Sequence, residues 1–250
     1  MTANQVMIIT GASRGIGAAT ARCAATRGYA VAVNFARDGA AAERVVSELI
    51  ARGVEALPVQ ADVSRQDDVR RLFETVDARL GPVTVLVNNA GVVDRQYRID
   101  AMDEERLLRM FSMNVVGSFL CAREAIRRMS TRYGGAGGCI VNVSSAAARL
   151  GSPGEYVDYA AAKGAIDTFT LGLAREIAAE GIRVNAVRPG IILTDIHGSG
   201  GDPGRAERLA PNLPMQRAGT ADEVAEAILW LASPAASYTT GAIVDVTGGR

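Results

Sequence analysis

Val6-Met7-Ile8-Ile9-Thr10-Gly11-Ala12-Ser13-Arg14-Gly15-Ile16-Gly17 sets a short apolar run directly against a glycine-rich turn. Val6–Thr10 reads as a strand, and the amphipathic stretch Gly17–Gly28 reads as a helix. Glycines between a strand and a helix let backbone N–H groups and the helix N-terminus approach a pyrophosphate with no side chain in the way. The spacing is Gly-x-x-x-Gly-x-Gly, whereas the commoner dinucleotide fingerprint is Gly-x-Gly-x-x-Gly, so the fingerprint is met only in part. Ordinary β-α turns also collect glycines, and a methyltransferase can place such a loop here.

Outward from that turn the same alternation repeats. Further strands are expected at Ala30–Asn34, Glu55–Gln60, Thr84–Asn88, Cys139–Ser144, Arg183–Arg188 and Ala242–Asp245. Helical patterns lie at Ala40–Ala51, Gln66–Leu80, Glu105–Arg132, Tyr156–Glu180 and Ala221–Leu231. Repeated β-α units of this kind build an α/β fold around a parallel sheet, and the unbroken apolar run Val83–Val87 asks for burial on both faces. Thr220 with Glu223 has the form of a capping box, and Ser64 is expected to cap the helix after the third strand. No repeat, low-complexity tract or linker divides the 250 residues, which fit one domain over 1–250. Ile191 to Pro214 is rich in Gly and Pro and reads as an irregular lid over a site.

Composition narrows the function classes. The 27 basic and 27 acidic residues cancel without a like-charge run, which argues against nucleic-acid and membrane-surface partners and for a small-molecule one. The apolar run Val6 to Ile9 is short and lacks a basic flank, so the chain is expected to be cytoplasmic. Cys23, Cys121 and Cys139 show no metal-ligand spacing and read as small buried hydrophobes. His197 is the sole histidine, leaving metal binding unsupported.

Chemistry concentrates in Tyr159-Ala160-Ala161-Ala162-Lys163, where a phenol and an ammonium four residues apart share one helical face. An ammonium beside a phenol favours the phenolate, so Lys163 is expected to lower the Tyr159 pKa and make a proton shuttle. Tyr156 is the rival, but Ala160 stands four residues beyond it and supplies no cation. After the second strand comes Asn34-Phe35-Ala36-Arg37-Asp38. An acidic group there suits the ribose hydroxyls of NAD, whereas an arginine suits the 2′-phosphate of NADP. Arg37 lies nearer the strand end than Asp38, and Arg14 offers a second cation, which favours NADP with NAD as the alternative.

Taken in order, the glycine turn, Asn88-Asn89-Ala90-Gly91, Asn114, Ser144-Ser145 and the Tyr159/Lys163 pair closely resemble the short-chain dehydrogenase/reductase family, over nearly the whole chain to Gly248-Gly249. Within it the chain looks most like the glucose-1-dehydrogenase-like, or sugar-dehydrogenase-like, subgroup. The resemblance implies a single doubly wound Rossmann domain with a seven-stranded parallel sheet. It also implies a homotetramer assembled through the long fourth and fifth crossover-helix regions.

Roles follow from the same resemblance. Tyr159 would exchange a proton with the carbonyl or alcohol oxygen, and Lys163 would also bond the nicotinamide ribose. Ser145 would orient the reacting oxygen, with its neighbour Ser144 as the alternative; Ser145 stands one residue farther from Tyr159 than the family pattern usually has, so one extra loop residue must be absorbed. Asn114 would hold a relay water; inside the apolar stretch Leu107–Leu120 its amide alternatively makes a helix-bending or inter-helix hydrogen bond. Gly11, Ser13, Arg14, Gly15, Ile16, Gly17, Asn34 and Arg37 would hold the adenosine phosphates, and Asp62 with Val63 the adenine. Asn89, Ala90 and Gly91 would run beside the adenosine ribose and diphosphate, and Pro189, Gly190, Ile191, Ile192 and Thr194 would fix the nicotinamide amide. Glu155, Asp158 and His197 match no family motif. The expectation is therefore an NADP-dependent oxidoreductase of secondary alcohols or ketones, such as a sugar or hydroxyacyl compound. The alternative is a catalytically idle cofactor-sensing protein on the same scaffold.

Overall fold

Val6 and Ile8 pack with one layer of helices while Met7 and Ile9 pack with the other, so the first strand is covered on both faces. The computed structural model describes residues 5–250, apart from the side chains of His197 and Ser199. Its strands are β1 (Val6–Ile9), β2 (Ala30–Phe35), β3 (Ala56–Gln60), β4 (Val85–Asn88), β5 (Gly138–Val143), β6 (Ile182–Pro189) and β7 (Ile243–Val246). They pair in parallel in the order β3-β2-β1-β4-β5-β6-β7, with Ile8 opposite Ala32 on one side and Leu86 on the other. This is the α/β Rossmann sheet expected, with each strand end within one residue of its predicted position.

The helices are α1 (Gly15–Thr26), α2 (Gly39–Ile50), α3 (Gln66–Arg79), α4 (Glu104–Phe111), α5 (Gly117–Met129), α6 (Ala147–Leu150), α7 (Val157–Ile177), α8 (Ile196–Ser199), α9 (Arg205–Leu209) and α10 (Ala221–Ala232). One face of the sheet is closed by α1, α2 and α10 through residues such as Ala21, Val45 and Ile228. The other is closed by α3, α5 and α7 through Phe73, Ala125 and Ile177. Strand order reverses between β1 and β4, which opens a crevice above their C-terminal ends, the usual ligand position in such sheets.

Four expectations are corrected. The single helix over Glu105–Arg132 is broken by a π turn at Ser112–Val116 and ends at Met129, where Ser130 turns extended. Ser64 does not cap α3: its hydroxyl donates to Asp62 Oδ1 at 2.7 Å, and Arg65 takes the N-cap position with no side-chain bond. The segment 191–214 is not irregular throughout but forms α8, α9 and a tight turn at Ala210–Asn212, with Ile191, Ala206, Leu213 and Ala218 buried together. Cys121 and Cys139 are buried as expected, but Cys23 is half-buried and its thiol donates to Glu226 Oε1 at 3.0 Å. Thr220 and Glu223 do form the capping box. Among the described residues, no helix is long and apolar enough to cross a membrane.

Candidate active site

The glycine turn is stapled at both sides before it reaches any ligand. Asn34 Oδ1 accepts from the Gly11 N–H at 3.2 Å, and its Nδ2 donates to the carbonyls of Val59 and Ala61. From β4, Asn89 Nδ2 donates to the carbonyls of Thr10 and Gly11, while Thr10 Oγ1 accepts from the N–H groups of Asn89 and Ala90. Asn34, expected among the cofactor contacts, is therefore buried under the turn with its amide taken up by backbone; it shapes the site from below.

Gly11 and Gly15 have φ of +61° and +55°, a region costly for residues with a Cβ. A Cβ on Gly17 would stand 2.6 Å from both Asn89 Nδ2 and the Gly11 carbonyl. The α1 N-terminus has no side-chain cap and no acidic residue in its first turn, so its free N–H groups and positive dipole end are left for an anion. Asp38 spends its carboxylate on the Ala41 N–H at 3.0 Å, capping α2. Arg14 and Arg37 are exposed and have no side-chain partner among the described residues. A dinucleotide whose phosphates meet bare backbone and free guanidinium groups fits this cradle. Farther along the crevice, Asp62 Oδ1 accepts from the N–H and hydroxyl of Ser64, and Val63 packs where a Cβ on Gly117 would stand 2.9 Å away.

At the other end, one pocket gathers Asn89, Gly91, Ser145, Tyr159, Lys163, Pro189, Gly190, Ile191, Ile192 and Thr194. Thr194 faces the glycine turn, 3.4 Å from a Cβ placed on Gly15. Ser144 is buried and its hydroxyl donates to the Lys163 carbonyl at 3.2 Å, whereas Ser145 hydrogen-bonds the Tyr159 phenol. Between Ser145 and Tyr159 the added residue is absorbed by α6 and a turn in which Gly151, Ser152 and Gly154 all have positive φ. Asn114 lies in the π turn, fully buried. Its Oδ1 accepts from the Val92 N–H at 3.1 Å, and its Nδ2 donates to the carbonyls of Val92 and Met110. Gly91 separates that amide from Lys163, because a Cβ there would lie 2.7 Å from Asn114 Oδ1 and 3.4 Å from Lys163 Nζ.

The titration of the Tyr159/Lys163 pair differs from expectation. Lys163 Nζ donates to the Val143 carbonyl at 2.7 Å and stands 5.6 Å from the Tyr159 ring centre. Burial pushes the phenol up to about 12, with the Ser145 hydrogen bond pulling it back, and burial pushes Lys163 down to about 8 against the raising effect of Asp167. Burial is thus the largest cause acting on the phenol, and the one group that lowers it is Ser145 and not Lys163.

Two arginines escaped the sequence reading, because only tertiary contact reveals them. Arg205, from α9, lines the pocket, binds both Glu155 oxygens at 3.0 and 2.5 Å and lies 5.5 Å over the Tyr156 ring. Tyr156 therefore does have a cation, supplied from α9 and not from its own helix. Arg106 is buried against Asp158 at 2.8 Å and also donates to the Arg95 carbonyl. His197 lies in α8, with its side chain outside the described set.

A family model described as enoyl-(acyl carrier protein) reductase matches residues 11–250. The uncharacterized oxidoreductase YgfF of Escherichia coli K12 is 53% identical over 245 residues, covering 98% of this chain and 99% of that protein. A 3-oxoacyl-[acyl-carrier-protein] reductase of Synechocystis is 41% identical over 246 residues, covering 98% and 96%. A short chain dehydrogenase from Burkholderia cenocepacia J2315 in complex with NADP superposes with a TM-score of 0.89 at 30% identity, covering 98% of this chain and 97% of that one. A blue fluorescent protein from a metagenomic library in complex with NADPH gives 0.89 at 34% identity, covering 100% and 99%.

Proposed function

The chain belongs to the short-chain dehydrogenase/reductase family of oxidoreductases, and from that premise we propose that it transfers a hydride between NADP and a secondary alcohol or ketone, with Tyr159 as the group that gives and takes the proton. The observation that carries this reading is the meeting of Tyr159, Ser145 and Lys163 in one pocket with Gly91, Gly190 and Thr194. The dinucleotide supplies the hydride.

Each part of the chain then has a task. The turn from Gly11 to Gly17 would hold the diphosphate, and Arg37 with Arg14 the 2′-phosphate, while Asp38 is occupied as a helix cap. Asp62 and Val63 would border the adenine, Asn89 to Gly91 the adenosine ribose and diphosphate, and Pro189 to Thr194 the nicotinamide amide. Tyr159 is protonated at neutral pH, which suits donation to a carbonyl oxygen as negative charge develops there. Ser145, already bonded to the phenol, would orient that oxygen. Lys163, still charged at neutral pH, favours the phenolate as the proton leaves, and Asn114 stands behind it at the inner end of the proton path.

The segment 191–214 would be the substrate loop of a single domain. The substrate would be a sugar, as the sugar-dehydrogenase-like subgroup suggests, or a hydroxyacyl compound, as the named reductase relatives suggest. Leu108, Phe111, Val116, Phe119 and Leu171 on α4, the π turn, α5 and α7 are exposed and would serve a homotetramer as contact residues. Loss of the general acid is expected to lower turnover by about 10²–10⁴-fold. NADPH oxidation across a panel of carbonyl compounds, with Tyr159→Phe alongside, tests the assignment; equal rates in the two proteins would overturn it.

A further inference from the structure

Tyr156 is the N-cap of α7, three residues before Tyr159, and lines the same pocket. It is only 7% exposed. Its ring is held under the Arg205 guanidinium, which Glu155 fixes from behind with two hydrogen bonds. Gly200, in the lid segment, leaves room at the tip: a Cβ there would come 2.9 Å from the phenol oxygen. Among the described residues the Tyr156 hydroxyl has no hydrogen-bond partner, and it is not one of the side-chain atoms sealed away unpaired. The hydroxyl thus sits beside Gly200 on a residue that lines the pocket, with its hydrogen-bonding capacity unspent among the described residues.

A donor that only water can pair must be matched by a ligand that displaces that water, and such donors select between substrates that do and do not carry an acceptor. We propose that Tyr156 is a specificity-determining residue that hydrogen-bonds a second oxygen of the substrate, close to the carbonyl that Tyr159 serves. Both phenols line the same pocket, so a second oxygen carried by the ketone itself can meet Tyr156 while its carbonyl meets Tyr159. Leu150, Ile191, Ile192 and Ile196 wall the same space, so the spacer between the two oxygens is carbon. That second oxygen is uncharged, because Arg205 is already neutralised by Glu155, with Asp202 Oδ2 a further 3.9 Å away. The substrate class is thus a ketone bearing a neutral hydroxyl or carbonyl function. This inference rests on the redox reading of the pocket.

The test compares two ketones of matched shape, 4-hydroxy-2-butanone and 2-pentanone, in NADPH-dependent reduction by the native protein, Tyr156→Phe and Tyr159→Phe. The phenylalanine at 156 keeps the ring beneath Arg205, and intrinsic differences between the ketones cancel when kcat/KM ratios are compared. Tyr156→Phe is expected to lower the ratio for the hydroxyketone over the plain ketone by on the order of tenfold, the usual effect of one neutral hydrogen bond. An unchanged ratio, including a uniform fall for both ketones, would overturn the assignment. Should Tyr159→Phe consume NADPH as fast as the native protein, the redox reading falls and takes this inference with it. A silenced Tyr159→Phe beside an unchanged ratio defeats the Tyr156 role alone.

Discussion

On α7 one physical cause moves two groups in opposite directions: desolvation raises the Tyr159 phenol to about 12 and lowers the Lys163 ammonium to about 8. For Lys163 the unfolded chain keeps its proton up to about 10.5. Below pH 8 both states are protonated and the folded state carries the full penalty of a buried charge. Between pH 8 and 10.5 the unfolded state binds more protons, so stability rises with pH across that window. Urea unfolding at pH 7.5 and 9.5 is expected to show a gain of about 2 kcal/mol in the native protein that Lys163→Met does not share. An equal pH response in both would remove Lys163 as the cause. At the far end of the crevice, Arg37→Ala should weaken NADP binding by roughly 10-fold or more while leaving NAD nearly unaffected, since a charge-assisted bond contributes about 1.5–3 kcal/mol. Titration of the two nucleotides into both proteins reads this directly, and an unaltered preference would free Arg37 of the role.

At the scale of elements, what was legible is what is local. The strand Val85–Asn88 could be read because burial on both faces leaves an apolar, mostly β-branched run from Val85 to Val87. The box at Thr220 could be read because its two partners are three residues apart, and Thr220→Ala is expected to cost about 1 kcal/mol in thermal or urea unfolding. Ser64 misled because an adjacent acceptor, Asp62, competes for its hydroxyl. The π turn at Ser112–Val116 was illegible for a different reason: its cause lies in another segment. Asn114 bonds both the N–H and the carbonyl of Val92, a residue 22 positions away, and that exchange holds the extra residue in the helix. Asn114→Leu would leave those half-buried backbone groups without their partner, so a loss of about 1–3 kcal/mol is expected in urea unfolding. A loss within 0.5 kcal/mol, the range of ordinary surface substitutions, would show that the turn holds itself.

Across the whole molecule, α7 is located by charge as well as by apolar packing. Arg106 on α4 and Asp158 at the start of α7, 52 positions apart, form a pair whose side chains are 5% and 0% exposed. Asp158 Oδ1 also accepts from the Tyr159 N–H at 2.9 Å, and Arg106 stacks on Tyr97 at 5.2 Å and bonds the Arg95 carbonyl. One ion pair thus ties the loop after β4, α4 and the first turn of α7 together around Tyr159. Neither residue carried a signal in the sequence, because an Arg or Asp on a helix ordinarily faces water. Burying both charges is costly, and removing one leaves the other uncompensated, so Arg106→Leu is expected to destabilise by about 3–5 kcal/mol. Adding Asp158→Asn removes the stranded charge but keeps an oxygen for the Tyr159 N–H, and the double variant should regain more than half of that loss. Urea midpoints of the native protein, both single variants and the double variant close the cycle; losses that simply add would mean that the two charges do not support one another.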